Sequence, residues 1–196
     1  MQLNSLKNTI EKLILSREDD QLLYHNLAHT LDVLEAAERL ITHTGVDTET
    51  ALLIRAAALL HETGMTVSPK NHEEASVEIA KKLLPNQGFN TDQILRIAEL
   101  ILATKMPQKP FDQASKIICD ADLDYLGRTD YFIIAHKLRL EWILRDGFTD
   151  DLTEWYQTQI EFLESHQYFT VAAKNLREKV KQHNLFLIKK LLNSSS

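Results

Sequence analysis

The sequence predicts an all-α protein, and three observations carry that prediction. Apolar residues recur three and four positions apart in almost every segment, the period of one buried helical stripe. Glycine (5) and proline (4) are scarce, which leaves little material for a turn-rich β architecture. Helix-opening residues stand where the apolar stripes begin.

Taken in order, Leu3, Leu6, Ile10 and Leu13 form the first stripe. Leu27, Leu31, Leu34 and Leu40, with Val33 and Ala37, form the second. Asp47 or Thr48 opens the third, which carries Leu52, Leu53, Ala56, Leu59 and Leu60. Asn71 with Glu74 three residues on resembles a capping box, and that helix stops near Pro85. Asn90 with Gln93 is a second such pair, opening "TDQILRIAELILATK". "MPQKPFDQ" breaks that helix, since proline cannot continue a helix interior. "ASKIICDADLDYLG" is read as one helix ending at Gly127. "TDYFIIAHKLRLEWILR" follows, opened by Thr129 or Asp130 and closed by "DGFTDD". "TEWYQTQIEFLESH" and "FTVAAKNLREKVKQHNLFLIKKLL" complete the chain, and the terminal "SSS" is expected to fray. The total is about nine helices joined by short connections.

Composition narrows the classes. A chain of 196 residues favours one domain with a sizeable core, and no linker or repeat divides it, so residues 1–196 are read as a single domain. The net charge of −6 argues against nucleic-acid polymers and offers no basic membrane patch, so an anionic substrate needs local cations. Cys119 is the only cysteine, which suits a reducing compartment. The first residues read as an amphipathic helix and not a signal peptide. No run approaches the roughly 18 apolar residues of a membrane span. A cytoplasmic protein is the expectation.

Several stretches bear chemistry. His25 and His29, in "YHNLAH", share a face if both are helical. "LLHET" sets His61 and Glu62 at the end of an apolar helix. "NHEEAS" sets His72, Glu73 and Glu74 at a helix start, where the glutamates also suit the helix dipole. "ICDADLDYLG" sets Asp120, Asp122 and Asp124 among apolar neighbours, although Asp124 also suits an exposed position. Burying an unpaired carboxylate costs several kcal/mol, so ligation or pairing is its natural use. Together the set points to a mixed nitrogen and oxygen metal site. Trp142, Trp155 and Tyr156 read as core or interface, and Cys119 as a buried filler.

The order "YHNLAH", "LLHET", "ICDADLDYLG" resembles the HD superfamily of metal-dependent phosphohydrolases. That family is all-helical, and its signature is a histidine, a His-Asp doublet and a distant aspartate. The resemblance runs roughly from Tyr24 through "ESHQYFT" and implies an HD-type core over about 22–170, with the first and last helices packed on it. It implies that His29, His61 and Asp122 are metal ligands and that His25 donates a proton to the leaving group. Glu62 stands where the doublet has aspartate, one methylene longer, and is expected to ligate directly or through a water.

The resemblance thus implies hydrolysis of a phosphate mono- or diester, nucleotides and cyclic nucleotides among them, by a metal-activated water. A catalytically impaired metal- or ligand-binding relative is the alternative, and Glu62 is the feature that favours it. One divalent ion is expected, because the further histidines of two-metal members are missing at "LATKMPQKP". Mn, Fe, Co, Ni or Zn suits two imidazoles with carboxylates better than Ca, and Mg is a further candidate that usually prefers more oxygen ligands. His72 is an additional candidate, for the metal, the substrate or the rim. Lys105 is a candidate phosphate contact, or a lysine suited to a helix C-terminus. The expected partner is a small phosphorylated substrate.

Overall fold

The computed structural model describes residues 2–17, 19–68, 70–145, 147–148 and 150–194. Among them are nine α-helices and no strand. Ser195 and Ser196 of the terminal run, and two positions of "DGFTDD", lie outside the described residues. No described helix is long and apolar enough to cross a membrane. The backbone groups into two compact units, residues 1–19 with 25–122 and residues 20–24 with 123–196.

The first unit holds α1 (Gln2–Leu15), α2 (Leu27–Thr44), α3 (Thr48–Leu60), α4 (His72–Leu83), α5 (Thr91–Ala103) and α6 (Gln113–Asp122). Of the stripes read from the sequence, Leu6, Ile10, Ala37, Ala56 and Leu60 are fully buried while Leu3, Leu13, Leu31, Leu34 and Leu52 are half-buried, and Ile54, Ile97 and Ile117 join the fully buried set. Burying each large aliphatic side chain stabilises the fold by about 1.5–3 kcal/mol. The caps follow local chemistry. The Asn26 amide oxygen accepts from Ala28 and His29 N–H and opens α2, which ends at Gly45 in the left-handed conformation. Asp47 accepts from Thr50 N–H and opens α3. Asn90 and Gln93 form the expected capping box of α5.

Asn71 departs from expectation. Its φ of 58° places it in the left-handed region, and its side chain caps nothing on α4. Its amide oxygen accepts instead from Lys105 Nζ at 3.3 Å, and Glu74 pairs with the same ammonium. Both halves of the anticipated box are thereby spent on a neighbouring segment.

The second departure is in "CDADLDYLG". α6 stops at Asp122, Leu123 breaks it, and Asp124–Gly127 form a separate 3₁₀ turn in the second unit. Asp124 is buried and accepts from Arg177 Nε at 2.8 Å. Asn184 donates to the Leu126 and Arg128 carbonyls. Gly127 is there for close approach: a Cβ would fall 2.5 Å from the Arg177 carbonyl oxygen. The helical stretch still ends at Gly127, as a 3₁₀ turn, and the missing side chain there makes room for α9.

The second unit also contains α7 (Tyr131–Arg145), α8 (Leu152–Ser165) and α9 (Val171–Ser194). Its core includes Tyr125, Tyr131, Trp155, Leu163 and Ile188, with Trp142 and Phe148 packed edge-on against Trp155. Lys181 is 2% exposed. Its ammonium donates to the His166 carbonyl at 2.7 Å, meets Glu178 at 3.3 Å and lies over the Tyr168 ring.

Burial, with the Lys181 ammonium beside it, pushes the His166 imidazole from 6.5 down to about 4. Between those values the unfolded chain binds a proton that the folded chain refuses. Stability therefore falls as pH drops from 6.5 towards 4, and the loss is complete below that. His166→Gln is expected to flatten this limb by on the order of 2 kcal/mol, read by urea unfolding at neutral pH and near pH 4.

Candidate metal centre

The site is assembled from helix ends. His29 lies in the first turn of α2, α3 ends immediately before His61, and α6 ends on Asp122. Helix interiors here are apolar, so the polar groups gather where the helices stop. His25 precedes the Asn26 cap and so lies outside the helix, contrary to the shared helical face read from its spacing. Its ring nevertheless lies 6.0 Å from that of His29 and 6.0 Å from that of His72.

Ligand-type atoms of His29, His61, Glu62 and Asp122 all lie within 4.8 Å of one another. His29 Nε2 and His61 Nε2 each stand 3.4 Å from Asp122 Oδ1, and 3.4 Å from each other. His61 Nε2 is 3.8 Å from Glu62 Oε1. Ligand atoms about 2.1 Å from a tetrahedral ion stand roughly 3.4 Å apart, so the spacing suits a small divalent cation. The surroundings prepare these atoms. The Ala58 carbonyl lies 2.9 Å from His61 Nδ1 and can only accept. A neutral ring, as ligation requires, then carries its proton on Nδ1 and leaves Nε2 for the ion; without an ion, the protonated ring donates from Nε2 to Asp122. Glu62 Oε2 is buried with no hydrogen-bond partner, an acceptor that an ion would satisfy.

Charge compensation runs through the same contacts. Burial raises the Asp122 carboxyl, but hydrogen bonds from His29 and His61 outweigh it and hold it well below the ordinary carboxylate range. Burial raises Glu62 too, and the charges and hydrogen bonds of His25, His72 and His61 bring it down to about 2. Burial lowers His61, but Asp122 and Glu62 reverse this and leave it above its ordinary value.

Of the other candidates, His72 enters the cluster's edge, with Nε2 3.3 Å from Glu62 Oε1 and 3.4 Å from Glu73 Oε1. Lys105 is 39% exposed at its side chain and is occupied by Glu74 and Asn71. Cys119 is buried against the Ala103 carbonyl, and burial pushes its thiol up.

Three supporting residues had escaped the sequence reading. Gln108 donates to Asp122 Oδ2 at 3.1 Å and to the Cys119 carbonyl, fixing the oxygen that faces away from the histidines. Ser76 donates to the His61 carbonyl and accepts from Gly64 N–H, both at 2.7 Å. Gly64 lies so close to α4 that a Cβ would fall 1.9 Å from the His72 carbonyl oxygen. "HETG" and "NHEEAS" contain the last two; nothing in "MPQKP" beyond its breaking of the helix marks Gln108.

The all-helical scaffold brings histidines and carboxylates together at helix ends, a donor set that suits a divalent metal ion. The pattern of the HD domain family matches residues 26–124, half of the chain, and the chain belongs to that family. Over 90 residues it is 34% identical to an uncharacterized protein of Clostridium beijerinckii, a match taking in 43% of this chain. The match spans about half of that relative, 55% of its length. A crystal structure of a predicted HD superfamily hydrolase from an uncultured Thermotogales bacterium superposes with a TM-score of 0.65 at 18% identity. It covers 98% of this chain and 92% of that one, which shows the shared fold.

Gly64→Ala is expected to force the His61–Gly64 turn away from α4. A loss of about 1–3 kcal/mol, read from the thermal midpoint, follows from the overpacking.

Proposed function

We propose that the chain hydrolyses a small phosphate ester at one divalent metal ion held by His29, His61, Asp122 and Glu62. The observation that carries this reading is the convergence of these four side chains from three helix ends on one buried point. Two imidazoles with carboxylates favour Mn, Fe, Co, Ni or Zn. A bound divalent ion supplies Lewis acidity, making water acidic enough to attack near neutral pH and offsetting charge on a phosphoryl oxygen.

The chain's own residues do the rest. Ala58 and Gln108 orient His61 and Asp122, which keeps the donor atoms aimed inward. His25, half-buried with its ring 6.0 Å from those of His29 and His72, is assigned the proton given to the departing oxygen. The water oxygen, its proton released to solvent, bonds to phosphorus, the phosphorus bond to the leaving oxygen breaks, and the imidazolium proton of His25 passes to that oxygen. A phosphate monoester or diester, nucleotides and cyclic nucleotides included, meets these requirements. Lys105 is a phosphate contact only if a substrate displaces it from Glu74.

The test is a screen of phosphomonoesters and diesters with the metal-loaded protein, beside calorimetric metal titration. About one ion per chain with turnover supports the reading. Uptake of an ion without turnover of any ester points to the catalytically impaired alternative, and no uptake under any loading overturns the site.

Two substitutions separate the roles. His29→Ala is expected to lose the ion. His25→Ala is expected to keep the ion and lose kcat by about 10²–10⁴-fold. His136→Ala, on α7, is the control and leaves both unchanged.

A further inference from the structure

The glutamate of the doublet has one more rotatable bond than an aspartate, so its carboxylate reaches no fixed place by itself. We infer that His72 is a positioning residue that clamps the Glu62 carboxylate, and that this clamp is what lets a glutamate serve as a ligand. The inference rests on the metal-binding reading above and concerns which residue sets the reach of its least regular member.

Three observations carry it. His72 Nε2 stands 3.3 Å from Glu62 Oε1, while Glu62 Oε2 is buried with no hydrogen-bond partner. One oxygen is thus held by the imidazole, and the other remains an open acceptor. Second, Glu73 Oε1 is 3.4 Å from the same His72 nitrogen, and Glu73 is 7% exposed. A single N–H donor between two carboxylates holds the ring between them, where a neutral apolar residue would leave them repelling. Third, the backbone brings the two segments together. Ser76 ties the first turn of α4 to both the His61 carbonyl and the Gly64 N–H. The missing Cβ of Gly64 lets the His72 backbone approach the turn that bears Glu62. The spacing of "HETG" and "HEEAS" therefore delivers the imidazole to the carboxylate before any ion arrives. A carboxylate already held in one rotamer loses less conformational freedom on ligation.

His72 is accordingly assigned to the carboxylate and not to a second ion. Among the described residues the mutually close ligand-type atoms are those of His29, His61, Glu62 and Asp122, a group that His72 borders without joining.

The test is a double-mutant cycle on the full chain, read by calorimetric titration of Mn²⁺ and of Zn²⁺ into metal-stripped protein. His72→Ala is expected to weaken affinity about 10–100-fold. His72→Gln, which keeps an N–H donor, is expected to recover most of that loss. In the Glu62→Asp background the carboxylate is too short for the clamp, so His72→Ala should change affinity little. An equal loss in both backgrounds overturns the inference, as does a second ion per chain that disappears with His72. A metal-free readout accompanies the cycle: ¹⁵N-histidine spectra of the stripped protein at fixed pH. The His72 Nε2 resonance should move on Glu62→Gln and stay put on Glu99→Gln, and an unmoved resonance overturns the clamp. If the wild-type chain takes up neither ion, the proposed function falls, and this spectrum alone decides whether the clamp exists.

Discussion

Two carboxylates, Glu62 and Asp122, are held largely out of water beside imidazoles, and much of the first unit is arranged around compensating them. A buried unpaired carboxylate costs several kcal/mol, so each must meet donors of fixed geometry. For Asp122 the donors come from α2, from the end of α3 and from the loop carrying Gln108. For Glu62 they come from His61 beside it and from the first residue of α4. The ends of these helices, set locally by their caps, are thus also where the charges are met. Their bodies carry the alanine, leucine and isoleucine that bury the core, and their ends carry the chemistry.

The helices themselves were legible because a three-to-four period is a local property, as in Leu6 and Ile10 or in Ile97 and Leu100. Capping was legible where the capping side chain has no competing partner, as at Asp47 and Asn90. It failed at Asn71, because Lys105, distant in sequence, takes both its side chain and that of Glu74. Gly127 does end the helical stretch, and the reason for it is likewise distant. Its glycine answers the approach of Arg177 from α9, a contact fifty residues away that leaves no local trace.

The ligand-type residues were legible as types in unlikely surroundings: an aspartate in an apolar run, a histidine closing an alanine-rich helix. Their juxtaposition was carried by the family resemblance, since nothing local says that Asp122 faces His29. The supporting layer was illegible. Gln108 sits in a stretch that announces only a helix break, and the Ser76 hydroxyl bridges two backbone groups of the 61–64 turn. Serine before an apolar helical run has many ordinary explanations. Only the position of the turn shows that its hydroxyl joins α4 to the doublet.

Reading a motif position by position treats Glu62 as a stretched aspartate and asks whether it still reaches an ion. The structure makes that a question about two residues. A longer carboxylate adds freedom that must be removed, and a histidine ten positions on, brought close by Gly64 and Ser76, removes it. Neither residue explains the other's identity from sequence spacing alone. With the clamp in place, the extra methylene is a different route to an oriented carboxylate, and the departure from the doublet does not by itself imply a damaged site. The pairing also accounts for the buried Glu73. Its Oε1 lies 3.4 Å from the same His72 nitrogen, so the orientation inferred for Glu62 draws on a carboxylate outside the cluster.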